Sequence, residues 1–103
     1  MKLINIDHIP GQDLEIIGMV KGSVVQSKNV GRDIMSGFKT LVGGEIKAYT
    51  EMMDEARGIA TKRMVDQANT MGADAIICIR YTSSAVMQGA AEILAYGTAV
   101  KFK

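Results

Sequence analysis

Between residues 14 and 27 the chain alternates. Leu14, Ile16, Gly18, Val20, Gly22 and Val24 take the even positions, while the odd ones carry Glu15, Lys21, Ser23 and Ser27 among Ile17, Met19 and Val25. A period of two with one wet side predicts a long strand over 14–27. Gly18 and Gly22 inside it predict a bend, a bulge or a close approach by another backbone. Ahead of it, 3–6 reads as a short strand closed by the turn dipeptide Pro10-Gly11. Residues 28–31 read as a loop. Ile34, Phe38, Leu41 and Val42 then recur at helical spacing beside Met35, which predicts a short helix over 32–42 ended by Gly43-Gly44.

A much longer helix is expected over 45–71, at about 1.5 Å per residue some 40 Å of it. Its apolar stripe is Ile46, Tyr49, Met53, Ala56, Ala60, Met64, Ala68 and Met71, widened by Met52 and Ile59, and Lys47, Glu51, Asp54, Glu55, Lys62, Asp66 and Asn69 form the wet face. Glu45 suits the positive end of the helix dipole, and Gly72 suits a left-handed C-terminal cap. Mid-helix Gly58 would permit close contact with the short helix or with a neighbouring chain. Residues 75–87 follow as a strand that opens Ile76-Ile77-Cys78-Ile79, apolar on both faces and so placed between two packing layers. Gln88-Gly89 turns the chain, and 90–102 returns as a partner strand. The expected fold is α+β, in the order β-α-α-β-β, with an antiparallel sheet covered by one long helix.

With 103 residues the chain is read as a single domain, 1–103, small enough for contacts between copies to supply much of its stability. Its formal net charge of +1 provides no global pull toward nucleic acid or an acidic membrane, and its 5% aromatic content leaves few platforms for stacking bases. No run of about 18 apolar residues is present to span a bilayer. Cys78 is the only cysteine, which excludes an internal disulfide, and Asp7 and His8 interrupt the first apolar run where a signal peptide would need it. A soluble cytoplasmic protein is the expectation, with no nucleic acid and no membrane as partner.

Candidate chemistry is sparse, and no catalytic constellation is recognisable. Arg57 falls beside Met53, Met64 and Ala68 at the edge of the apolar stripe, where a guanidinium needs a carboxylate; Asp33, Glu45 and Asp74 are the candidates. The plain reading is a structural ion pair or a snorkelling arginine, and the sharper one an anion-binding or ligand-orienting group. Cys78 and His8 lack the short spacing of a zinc site, which leaves any metal ligands unassigned, although copies meeting by symmetry would multiply each ligand. Asp54 and Glu55 read as surface charges. Gly31-Arg32-Asp33 and Gly43-Gly44-Glu45 each precede a helix but lack the glycine spacing of a phosphate loop.

Asp33, Gly43-Gly44-Glu45, Tyr49, Ala56-Arg57, Gly72-Ala73-Asp74-Ala75 and Gly97-Thr98-Ala99-Val100 together resemble the bacterial YbjQ-like family, an uncharacterised conserved family that carries a heavy-metal-binding label. The resemblance spans nearly the whole chain. It implies a dodecin-like α+β subunit that forms an oligomeric ring, a homopentamer with strands joining between subunits. The chain itself is then the expected partner, and a metal ion the candidate cofactor. The expected function is that of a homo-oligomeric binding protein for a heavy metal or small ligand, with Arg57, Asp33, Glu45 and Tyr49 as candidate binding residues. The alternative is a small enzyme or regulator whose site lies at the subunit interface around Arg57.

Overall fold

A computed structural model describes residues 1–27 and 44–103, with the backbone alone described for 44–46. The elements are β1 (Lys2–Leu3), β2 (Leu14–Ser27), α1 (Gly44–Thr70), β3 (Ala75–Met87) and β4 (Ala90–Phe102). Three strands and the long helix thus fall where the hydrophobic pattern puts them. The short helix expected over 32–42, with Asp33 in it, lies outside the described residues.

The four strands form one sheet in the order β1-β3-β4-β2. β2 pairs with β4 and β3 with β4 antiparallel, but β1 runs parallel to β3, so the sheet is mixed and not wholly antiparallel. The first strand is also shorter than the expected 3–6. Past Leu3 the chain still bonds to β3, with the Ile4 amide donating to Ile76 O (2.9 Å), the Ile79 amide to Ile4 O (3.2 Å) and the Cys78 amide to Ile6 O (3.0 Å). A bulge in β3 breaks the regular ladder there: the register steps from Ile77↔Thr98 to Arg80↔Tyr96, and Cys78 takes φ 57°.

Helix α1 lies on one face of the sheet, packed mainly over β2. Ala56, Ala60, Met64 and Ala68 are buried against Val20, Val24, Ile76, Ile93 and Ala95, as the stripe predicts. The approach is close because Gly22 has no side chain; a Cβ there would stand 2.3 Å from Ala60 O and 2.4 Å from Met64 N. At the other end of the helix, Gly72 (φ 74°) closes a Schellman motif, with the Ala73 amide donating to Ala68 O and the Gly72 amide to Asn69 O, both at 3.1 Å. The last turn holds no basic residue, and Lys101 of β4 supplies the cation, its Nζ 3.6 Å from where a Gly72 Cβ would stand. Among the described residues nothing lies within 4 Å of a Cβ at Gly58, and the short helix it was expected to meet lies outside them.

Among the described residues, the cover of the opposite face lies at one end. Ile9, Ala75, Ile77 and Val100 form a second core against Ile4, Leu14 and Cys78, as the stretch from Ile4 to Gln12 crosses from the β3 edge to the start of β2. Pro10-Gly11 makes the turn, with the Gln12 amide donating to Ile9 O (3.0 Å) and Gly11 at φ 75°. The run Ile76-Ile77-Cys78-Ile79 is dry on both faces for this reason. Its two packing layers come from one chain, so its dryness is no sign of assembly.

Candidate functional site at the open edge

The two edges of the sheet end differently. On β2, the Lys21 amide donates to Gln67 Oε1 (2.7 Å) and Arg63 Nη1 donates to Ser23 O (2.6 Å), so side chains of α1 serve groups that point out of the sheet. The antiparallel alternation then fixes the rest. Lys21 and Ser23 pair with Tyr96 and Leu94, whose amides and carbonyls must therefore point to β3, at Arg80 and Thr82. The backbone groups of Tyr81, Ser83 and Ala85 point away from the sheet, and none meets a partner among the described residues. From Arg80 to Met87 every residue of β3 is exposed.

Where this open edge meets β1 lies an open pocket of about 430 Å³, lined by Leu3, Ile4, Asn5, Ile6, Ile79 and Tyr81. The Cys78 bulge shapes it, because the extra residue turns Ile79 to the helix side while Cys78 faces the second core. The Tyr81 hydroxyl lies 2.7 Å from Thr61 Oγ1, which itself lies 2.7 Å from Arg57 O. A carbonyl only accepts, so the Thr61 proton goes to Arg57 O and Tyr81 donates to Thr61. The phenol oxygen keeps its lone pairs for an incoming donor. Asn5 is held from below, since Arg80 Nη1 donates to Asn5 O (2.8 Å) and Ile79 O (3.0 Å).

Of the expected site residues, the side chains of Arg57 and Tyr49 are described and those of Asp33 and Glu45 are not. Arg57 is exposed, its side chain 44% accessible, and pairs with Asp54, one turn back on the same helix. Of the three carboxylates named from the sequence, only Asp74 has a described side chain, and it does not meet Arg57. Asp74 accepts from the Phe102 amide (2.8 Å) and donates its own amide to Val100 O (2.8 Å), which locks the helix–strand joint to β4. Glu45 opens α1 with its side chain outside the description, as is all of Asp33. Tyr49 is half-buried in the first turns of α1. Arg57 does belong to the flank of α1 that carries Thr61 and hence Tyr81, so it stands beside the open edge without lining the pocket. Tyr81 itself is the residue that the sequence reading missed. Its signal was an aromatic just past Arg80 at the end of a dry run, in a segment whose small polar residues do not form a strong strand by themselves.

A second hollow, about 290 Å³, lies between α1 and the end of β2 and is lined by Gln26, Ser27, Ala48, Glu51, Met52 and Glu55. Among the described residues no three of His, Cys, Asp and Glu come close enough to hold one metal ion. Cys78 is half-buried in the bulge, and His8 is exposed, with its Nδ1 donating to Asp7 Oδ1 (3.0 Å). That hydrogen bond, then Asp7's own backbone amide and the charge of His8, holds the Asp7 carboxyl below its usual value. No helix among the described residues is long and apolar enough to cross a membrane.

The fold and the site define an α+β domain in which one long helix closes one edge of a mixed sheet and, among the described residues, the other edge is open beside a small apolar pocket. The chain belongs to the YbjQ-like, UPF0145 family, whose model, described as "Putative heavy-metal-binding", matches residues 1–103. It is 65% identical over 101 residues to a UPF0145 protein of Clostridium novyi, covering 98% of each chain. It is 67% identical over 102 residues to one of Alkaliphilus metalliredigens, covering 99% of each. A UPF0145 protein of Vibrio parahaemolyticus is 62% identical over 96 residues, 92% of this chain and 91% of the other. Among solved structures, a protein of unknown function from the DUF74 family of Pediococcus pentosaceus superposes with a TM-score of 0.67 at 14% identity, over 100% of this chain and 98% of that one.

Proposed function

We propose that this protein is a cytoplasmic, non-enzymatic binding module that works as a ring-shaped homo-oligomer, a homopentamer, joined through the open edge of β3. The carrying observation is the row of outward amides and carbonyls at Tyr81, Ser83 and Ala85, which has no partner among the described residues. An unprotected edge of this length invites a strand from another chain, and identical chains are the partners always at hand. Natural sheets blunt exposed edges with lysine, proline or covering side chains. β2 is covered in this way, whereas the segment Tyr81-Thr82-Ser83-Ser84-Ala85-Val86 has neither charge nor proline.

The cargo is a small ligand at the seam, in the pocket of Leu3, Ile4, Ile6 and Ile79, with the Tyr81 oxygen as its acceptor. A heavy metal, which the family description suggests, would draw its ligands from more than one copy or from beyond the described residues.

Amide exchange tests the assembly without a mutation. A peptide covering 80–87 should exchange slowly in the assembled protein, because its outward amides are paired there. Fast exchange throughout that peptide would refute the edge contact. Ser83→Pro is the matching variant. The Ser83 amide points outward and meets no partner among the described residues, so the subunit should stay folded while its mass by light scattering falls. Elemental analysis of untagged protein, with melting followed as metal is added, decides the metal cargo; no bound metal and no rise in Tm would remove it.

A further inference from the structure

We infer that the helix-distal face of the sheet is a self-complementary surface on which a second copy of this chain packs face to face, about a two-fold axis that passes over Leu94. The floor of this face is built from β2, β4 and β3 side by side. Cross-strand pairing aligns Lys21, Tyr96 and Arg80 in one row, Ser23, Leu94 and Thr82 in the next, and Val25, Glu92 and Ser84 in the third. Their neighbours in sequence, Val20, Gly22 and Val24 on β2 and Ile93 and Ala95 on β4, turn to the helix, which sends these rows the other way. The floor is open: Tyr96 is 37% and Val25 58% exposed, and Met19 at its end is 73% exposed. The side chains of Lys21, Tyr96 and Glu92 have no hydrogen bond or ion pair among the described residues.

The charges lie at opposite ends of the floor. Lys21 and Arg80 flank Tyr96 in the first row, and Glu92 stands alone in the third, roughly 13 Å away at about 3.3 Å per residue. Two ways of laying one copy on another can then be compared. A two-fold axis parallel to the strands keeps each row over itself. It sets Lys21 over Arg80 and Glu92 over Glu92, which repels everywhere. An axis across the strands reverses the rows. It sets each Glu92 over the other copy's Tyr96, between Lys21 and Arg80, with the phenol as a donor to the carboxylate. Leu94 then meets Leu94 on the axis, and Val25 covers the methylenes of Lys21.

The boundaries of the floor select the same axis. At one end the N-terminal segment covers Val100 through Ile9, and at the other the chain turns at Gln88-Gly89. The exposed residues of β4 on this face are Tyr96 and Glu92, with half-buried Leu94 midway between them, and Ala90 beyond is buried. At about 4.8 Å between strands and 3.3 Å per residue, the floor covers about 400 Å² on each copy. The total of about 800 Å² lies below the ~1,200 Å² of a typical stable interface, so this contact is salt-sensitive and adds to the edge contact without replacing it.

Light scattering and native mass spectrometry on charge-reversed variants test it. Glu92→Lys and Lys21→Glu each place like charges across the axis, and each should halve the mass seen for the natural chain at low salt, which for the ring means from two homopentamers joined face to face to one. Mixing the two variants brings the reversed charges together and should restore the full mass as a one-to-one species. A mass unchanged in either single variant overturns the proposal, and so does a mixture that stays at half mass. Circular dichroism establishes that both variants fold. The edge contact is read separately, by exchange of the 80–87 amides in Glu92→Lys. If they remain protected at half mass, both readings stand. If they exchange freely while the masses behave as stated, the edge reading falls and the face contact stands.

Discussion

The two edges of this sheet differ in how the chain treats them: one flank is closed by its own helix and, among the described residues, the other is left bare. At β2 the helix comes down onto the strand, and Gln67 and Arg63 reach past it to the Lys21 amide and the Ser23 carbonyl. At β3 the helix contributes only the Thr61 hydroxyl, to Tyr81, and the backbone beyond is bare among the described residues. Both strands are of similar length, 14 residues in β2 and 13 in β3. What separates them is the lateral position of α1, and Gly22 fixes that position by allowing the Ala60–Met64 backbone to rest on β2.

The comparison breaks most severely at Gly22. In Gly22→Ala the new methyl would stand within 2.4 Å of two backbone atoms of α1 and 2.8 Å from Arg63 Cβ, and backbone cannot rotate away as a side chain tip can. The helix must lift or slide toward β3. A loss of about 3 kcal/mol is expected, at the upper end of overpacking costs, read as a fall in the urea midpoint with an unchanged m value. A loss under ~0.5 kcal/mol would mean that the helix is not seated on β2 by this contact.

Uncovering the β2 edge should cost less. Gln67→Ala and Arg63→Ala each remove one partner from an outward backbone group that water can then reach, so about 1 kcal/mol apiece is expected from denaturant unfolding. Neither should lower the assembled mass, in contrast to Ser83→Pro on the open edge. A dissociating effect of Arg63→Ala would show that both edges take part in the contact between copies.

How much of this could be read from the sequence depends on what each feature needs. The strands over 14–27, 75–87 and 90–102 were legible because each is long and its alternation is local. The helix was legible from its stripe and from Gly72, whose left-handed conformation closes it as expected. The parallel β1 was not, since Lys2 and Leu3 carry no sign of which strand they will meet. The partner of Arg57 was not legible for a related reason: among the described residues it is Asp54, one turn back on the same helix, while Asp33 and the Glu45 side chain lie outside them. A helical wheel places it at the edge of the stripe, but the stripe that packs is narrow, Ala56, Ala60, Met64 and Ala68, and the helix sits over β2, away from β3. Arg57 therefore hangs over the uncovered side of the sheet. Tyr81 and the Cys78 bulge escaped because they depend on pairings between β3, β4 and the N-terminal segment, which no single window of sequence contains.

Arg57 now offers a sharper test of the open side. As an exposed pair three residues apart on one helix, Arg57–Asp54 contributes about 0.3 kcal/mol within a single subunit. Arg57→Ala should therefore shift the unfolding midpoint of a dissociated form, such as Ser83→Pro, hardly at all. If Arg57 reaches across the seam, the same substitution in the assembled protein will lower its mass or its Tm beyond that. The difference between the two backgrounds measures what Arg57 does for the neighbour, and equal small effects would leave it a surface ion pair.

The smallest effect is expected at Asp7, in the segment that bounds both the distal floor and the β3 edge. His8 lowers its carboxyl pKa from the ordinary 3.8, chiefly through the side-chain hydrogen bond. A lowered native pKa means stability that is present above 3.8 and lost as pH falls through the native value, so any linkage lies in acid, at and below 3.8. Asp7 is 84% exposed, however, and solvent screens the pair. His8→Ala should return the Asp7 titration toward the ordinary value in a carboxyl-detected NMR experiment. It should leave the acid unfolding curve where it was. A shifted curve would mean that the pair is buried against another copy, and would place this segment, and not only the bare stretch of β3, in the contact between subunits.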